Sequence, residues 1–240
     1  MKVNDLSIEI YTDAIGLEQI RDFALKEWVK GFTTNPTLIK KSGAKSYLDF
    51  CKEAAIIANG KPISLEVISD DLDEMIIQAK RLKSLGNNIF VKIPVTNTKG
   101  VFTSKVIKDL LENDVNLNIT AIMTLHQIHL ILEEISKQNT KSNIILSIFA
   151  GRIADTGRDP MPIMNEAVTL VRELSNVKIL WASPREVLNI YQANSIGCHV
   201  ITATVDLLNK LNLKNKDLHE YSLETVKMFY DDAQSAGYTI

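Results

Sequence analysis

No stretch of this chain approaches the ~18 apolar residues that a membrane-spanning helix needs, and the residues after Met1 lack the apolar core of a secretory leader. The chain therefore reads as cytoplasmic, with no membrane partner. Neither charge dominates: 27 Lys and Arg against 29 Asp and Glu leave a formal net charge of −2. Such a balance offers no electrostatic ground for binding nucleic acid. Cysteine is nearly absent; Cys51 and Cys198 sit in apolar surroundings without metal-ligand spacing and read as reduced core residues. The histidines, His126, His129, His199 and His219, pair with no carboxylate at ligand spacing, so no metal is expected. No block of charge and no Pro, Gly or Ser-rich linker interrupts the chain, which points to one domain spanning residues 1–240.

What the chain does contain is an alternation of short strand-like apolar runs with helix-like stretches. The runs are Ile8–Asp13, Gly31–Asn35, Pro62–Val67, Ile89–Thr96, Val115–Thr120, Asn143–Phe149, Val177–Ser183 and Cys198–Thr204. Between them come stretches with apolar residues at helical spacing, such as Leu72, Met75, Ile76, Ala79 and Leu82 behind the capping signal Ser69-Asp70-Asp71. After the sixth run the residues from Ala150 to Pro160 read as a long loop. Eight βα units predict an α/β fold, a (β/α)8 TIM barrel. A doubly wound open sheet would call for a Gly-x-Gly-x-x-Gly turn after the first strand, and none is there. Beyond the repeat, Leu223, Val226, Phe229, Tyr230 and Ala233 predict an additional C-terminal helix over 217–236, suited to closing the barrel or docking on a second copy.

Lys92 is the anomaly in this pattern, because Val91 and Ile93 flank it in an otherwise apolar strand. Desolvation disfavours an ammonium group, and a neutral amine can attack a carbonyl to form a Schiff base. Strand parity places other polar residues on the face that Lys92 shares. The first run gives Tyr11 and Asp13, the second Thr33 and Asn35, the third Ser64 and Glu66. The fifth gives Asn116, Asn118 and Thr120, the sixth Ser147 with Phe149, and the seventh Ser183. In a barrel these sets converge at the C-terminal mouth, where barrel enzymes keep their sites. Cleaving a carbon–carbon bond from a Schiff base needs a proton carrier, for which Asp13 and Glu66 are the available carboxylates. Asp13 suits the acid/base acting on substrate, and Glu66 beside Thr120 suits a water-holding pair. Asn35 and Asn118 carry amides suited to sugar hydroxyls, and Ser147 adds a hydroxyl. Arg152, Ser183 and Arg185 form a set that fits a phosphate.

The segments Thr33-Thr34-Asn35-Pro36-Thr37, Ser64-Leu65-Glu66-Val67, Val91-Lys92-Ile93-Pro94-Val95-Thr96, Asn116-Leu117-Asn118-Ile119-Thr120, Ser147-Ile148-Phe149-Ala150-Gly151-Arg152 and Ser183-Pro184-Arg185 resemble, in this order, the transaldolase and fructose-6-phosphate aldolase family. The resemblance runs from about Ile8 to Leu211. It implies a Schiff-base lysine at Lys92, an acid/base at Asp13, a catalytic water held by Glu66 and Thr120, and no metal or organic cofactor. Asn35 and Asn118 resemble the hydroxyl-binding amides, and Thr33, Ser147 and Phe149 sit where the family lines its pocket. Arg152, Ser183 and Arg185 match its phosphate-binding positions. Glu66 and Phe149 stand where the aldolase branch has glutamine and tyrosine, which favours the transferase branch. The implied activity is transfer of a dihydroxyacetone unit between sugar phosphates, of the pentose phosphate pathway type, by a homo-oligomer. An aldolase releasing free dihydroxyacetone and a non-catalytic sugar-phosphate-binding barrel are the alternatives.

Overall fold

The computed structural model describes residues 6–240. Eight strands, β1 (Glu9–Asp13), β2 (Val29–Thr33), β3 (Ile63–Glu66), β4 (Ile89–Pro94), β5 (Leu117–Ile122), β6 (Ile144–Ile148), β7 (Val177–Trp181) and β8 (Val200–Thr204), form a closed barrel. Each pairs in parallel with the next, and β8 pairs back to β1, with Asp13 opposite Thr204. Helices return the chain between strands: α1 (Leu17–Ala24), α2 (Pro36–Lys41), α3 (Tyr47–Ile57), α4 (Leu72–Lys83), α5 (Ser104–Glu112), α6 (Leu125–Ser136), α7 (Ala150–Asp155), α8 (Met161–Leu170), α9 (Leu188–Ser195) and α10 (Val205–Asn209). The fold is a (β/α)8 barrel, as the alternation predicts.

One set of strand residues, including Leu65, Val91, Ile93, Leu117, Ile119, Leu146 and Ile179, is completely buried. Burying each such side chain contributes on the order of 2 kcal/mol, which is why the apolar set turns toward the helices. Inside the barrel, Tyr11, Ile145, Leu180, Ala182 and Val200 cluster, with Phe90 and Phe149 packed against them. This interior layer is filled, and Tyr11 belongs to it rather than to the polar mouth. A Cβ at Gly31 would stand 2.5 Å from the Tyr11 ring, so only glycine lets that ring lie across β2. The β1–β2 register slips at the same place, between Ile10 and Tyr11.

Helix starts follow the sequence signals. Asn35 accepts from the Leu38 N–H at 3.0 Å with Pro36 at the first helical position, and Asp71 caps α4 through the N–H groups of Asp73 and Glu74. Three details differ from expectation. Residues 150–155, expected as loop, form α7 directly after β6. Val101, which with Val106, Leu110 and Leu111 suggests a helix after the fourth strand, lies ahead of α5 and is exposed. Finally, β5 runs on past Thr120 to Ile122 through Ala121, whose φ is 61°, and its register with β6 shifts there.

The first compact unit runs to Leu208, and the second is Asn209–Ile240. In the second unit a 3-10 turn, Lys210–Leu213, precedes α11 (Leu218–Ser235). Asp217 caps α11 by accepting from the N–H groups of His219 and Glu220. The helix expected over 217–236 thus has its cap at the first of those positions. Among the described residues no helix is long and apolar enough to cross a membrane.

Candidate active site

A cavity of about 190 Å³ opens at the C-terminal ends of the strands. Its lining takes Asp13 from β1, Thr33 and Asn35 from the end of β2, Lys92 from β4 and Thr120 from β5. Ser147, Phe149 and Arg152 come from β6 and α7, and Ser183 and Arg185 from the segment after β7. Ten of the twelve residues proposed from sequence therefore meet in one place. The other two, Glu66 and Asn118, lie immediately behind that lining.

Lys92 is 6% exposed. Its Nζ donates to the Thr34 backbone carbonyl at 3.0 Å and lies 3.2 Å from Glu66 Oε2. The amine is not surrounded by apolar groups alone, as its strand neighbours suggested: a carboxylate and a carbonyl hold it. Glu66 stands opposite Lys92 in the β3–β4 register. It also borders a lateral cavity with Tyr47, Leu48 and Ile68, and the Tyr47 hydroxyl donates to its backbone carbonyl. An amine must shed a proton before attacking a carbonyl, and Glu66 is a carboxylate within reach to take it.

Asp13 is partly buried at the end of β1, and desolvation there pushes its carboxyl above the usual carboxylate range. The Lys92 charge and a hydrogen bond from Thr33 oppose the rise without cancelling it. Thr33 Oγ1 donates to Asp13 Oδ1 at 2.9 Å and is linked to Thr202 Oγ1 at 2.5 Å. A carboxyl shifted upward beside a lysine in a cavity is an arrangement suited to proton transfer.

Asn118 is fully buried. Its Nδ2 donates to Ser64 Oγ at 2.9 Å, and its Oδ1 accepts from Ser147 Oγ at 2.7 Å. The amide thus ties β3, β5 and β6 together beneath the cavity instead of lining it. Asn35 reaches the cavity, yet its Oδ1 is committed to the α2 cap; its amide nitrogen is what remains for a ligand. Thr120 Oγ1 is buried with no partner among the described residues. A buried hydroxyl without a partner next to a cavity marks a place for a water or substrate oxygen.

Around the arginines, Gly151 is forced by geometry. A Cβ there would meet the Ser183 carbonyl oxygen at 1.5 Å, so the chain after β7 rests directly on the first turn of α7. Ser183, in the cavity lining, has φ 61°, a non-glycine residue in the left-handed region. Arg185 Nε donates to Asp155 Oδ1 at 3.0 Å while Nη2 pairs with Oδ2.

Sequence reasoning passed over Thr202, Thr204, Ala182 and Pro184, which also line the cavity. The β8 threonines were legible by the same two-residue spacing used for the other strands. The Thr34 carbonyl and the Asp155 carboxylate left no such signal, since one is a backbone atom and the other lies across a loop. A larger cavity, about 380 Å³, opens among Glu9, Tyr11, Lys30, Phe90 and Lys178. It contains neither Lys92 nor Asp13. Cys51 and Cys198 are buried and their thiols are pushed up to about 12, which leaves them unreactive. His199 Nδ1 accepts from the Ile179 N–H at 3.1 Å, a structural role.

A closed parallel barrel that gathers a buried lysine and an aspartate at its C-terminal mouth has the layout of a barrel enzyme. The chain belongs to the Transaldolase/Fructose-6-phosphate aldolase family, whose model matches residues 10–240. It is 30% identical over 234 residues to a probable transaldolase of a Thermoanaerobacter species, covering 97% of this chain and all of that one. A probable transaldolase of Thermoplasma volcanium is 32% identical over 216 residues, 89% of this chain and 91% of its own. Among solved structures, N-acetylneuraminate lyase from Mycoplasma synoviae superposes with a TM-score of 0.57 at 12% identity, covering 94% of this chain and 80% of that one, a likeness of fold alone.

Proposed function

We propose that this transaldolase-family enzyme transfers a dihydroxyacetone unit from a ketose phosphate, fructose 6-phosphate or sedoheptulose 7-phosphate, to an aldose phosphate, through a Schiff base on Lys92. The observation that carries this reading is the Lys92 nitrogen at the cavity of the C-terminal mouth, with Glu66 3.2 Å from it. Lys92 attacks the C2 carbonyl, and the carbinolamine loses water to give the iminium, with Glu66 and the unpartnered Thr120 hydroxyl managing that water. Asp13 as carboxylate takes the C4 hydroxyl proton while the C3–C4 bond breaks and its electron pair passes into the iminium. The aldose phosphate leaves. The enamine carbon then attacks the aldehyde of a second aldose phosphate, Asp13 returns the proton to the new hydroxyl, and water releases the ketose. Arg152, Ser183 and Arg185 take the phosphate. The chemistry asks for no metal or organic cofactor.

Borohydride reduction in the presence of fructose 6-phosphate, followed by peptide mass mapping, tests the reading. One reduced adduct is expected, on the peptide containing Lys92; an adduct elsewhere, or none with any ketose phosphate, overturns it. Product analysis with and without an acceptor aldehyde separates transfer from release of free dihydroxyacetone. The apolar stripe of Leu223, Val226 and Phe229 on α11 supports assembly with further copies of the chain.

A further inference from the structure

Arg185 and Arg152 both line the cavity, but the carboxylate closest to them does not. Asp155, the last residue of α7, is three positions beyond Arg152 and so shares its side of the helix. Its carboxyl is held below the usual range, first by the Arg185 hydrogen bonds and then by the charges of Arg185 and Arg152. The Arg185 guanidinium offers two edges for a bidentate partner. Asp155 takes the Nε and Nη2 edge, and Nε lies 3.4 Å from where a Gly151 Cβ would be, so that edge is turned onto the start of α7. Nη1 makes no hydrogen bond among the described residues.

We infer that Asp155 is a positioning residue for the phosphate group of the substrate: by holding the Nε edge of Arg185 against α7, it leaves the Nη1 and Nη2 edge for two phosphate oxygens. This rests on the proposed reading that Arg152, Ser183 and Arg185 receive that phosphate. Long arginine side chains lose rotamer freedom on binding, so prior alignment by Asp155 lowers the cost of ordering the fork at the moment of binding. The pair is half exposed, with side chains 48% and 51% accessible, which sets the size of the effect at that of a surface ion pair.

The test compares Asp155→Ala and Asp155→Asn with the parent on fructose 6-phosphate and on unphosphorylated fructose. Removing the negative charge by itself would draw an anion in, so the order of the variants decides. Positioning requires Asp155→Ala to raise KM for the phosphorylated ketose by about fivefold, the scale of losing one exposed ion pair. Asp155→Asn, which keeps an acceptor oxygen, should fall between Ala and parent, while kcat and the KM for unphosphorylated fructose stay at the parent's values. An Asp155→Ala enzyme whose KM for fructose 6-phosphate equals or falls below the parent's overturns the inference and makes Asp155 a competitor of the phosphate. Melting temperatures of both variants exclude unfolding as the cause. Inorganic phosphate is the separate check on the underlying reading. If it fails to inhibit the parent competitively, the arginine cluster is not a phosphate site, whatever Asp155 does.

Discussion

Thr33 and Asp13 are joined across the β1–β2 seam by a hydrogen bond of 2.9 Å, in which the threonine hydroxyl donates to the carboxylate. The bond favours the ionised form, whereas burial favours the protonated one and prevails. As a base, Asp13 works only as the carboxylate. The rate should therefore fall as pH drops through a pKa above the ordinary carboxylate value, and the same limb should vanish in Asp13→Asn. Thr33→Val removes a contact that lowers that pKa and should move the limb to higher pH. A kcat/KM profile of Thr33→Val that superposes on the parent's would remove Thr33 from this role.

Lys92→Ala should abolish adduct formation under borohydride while circular dichroism keeps the barrel signature. It should also cost stability, because Glu66 loses its ion-pair partner in a site where side-chain exposure is only 17%. Breaking a buried pair from one side costs ~3–5 kcal/mol, and partial solvation should bring this pair below that. Urea titration of Lys92→Met with Glu66→Gln should recover part of the loss, as no lone charge is then left.

Thr120→Val should separate stability from activity. Its hydroxyl is buried without a partner, so replacing it with a methyl should leave the melting temperature level or raise it. Schiff-base formation, followed by stopped-flow with trapping, should slow by roughly 100-fold or more, the range for losing one positioned proton-handling group. A large drop in melting temperature would mean that the hydroxyl has a structural partner.

Gly151→Ala should be among the most damaging single methyl additions to the chain. The new Cβ would meet a backbone oxygen at 1.5 Å, and backbone cannot turn aside as a flexible side chain can. A cost of roughly 3 kcal/mol or more is expected from overpacking of this kind. Gly31→Ala meets the Tyr11 ring instead, and the clash should disturb the barrel floor. Thermal melts of the two variants test both expectations.

The barrel was legible because period-two strands and helical stretches recur along the whole chain, and because parity put the polar residues on one side. Lys92, Asp13 and Glu66 could be named from their strands alone. What sequence could not supply was how completely hydrogen bonds would use some of those groups. Asn118 has the right residue type and face, yet Ser64 and Ser147 hold it beneath the cavity. Tyr11 shares parity with Asp13 but sits one layer deeper, where Ile145, Leu180 and Val200 surround it. Parity assigns a face, whereas depth along the barrel axis depends on stagger between strands, which no single strand encodes. The Arg185–Asp155 pair joins the end of α7 to the segment after β7, whose approach depends on Gly151, and α7 reads as loop in the sequence because so short a helix carries little periodicity.

The layer of Tyr11, Ile145, Leu180 and Val200 lies beneath the cavity, whose lining comes from the C-terminal ends of the strands. A departing aldose and an incoming acceptor would share that one mouth while the three-carbon unit stays bound to Lys92. For the proposed transfer this means alternation: the first aldehyde clears the threshold before the second enters, and double-reciprocal plots against the two substrates run parallel.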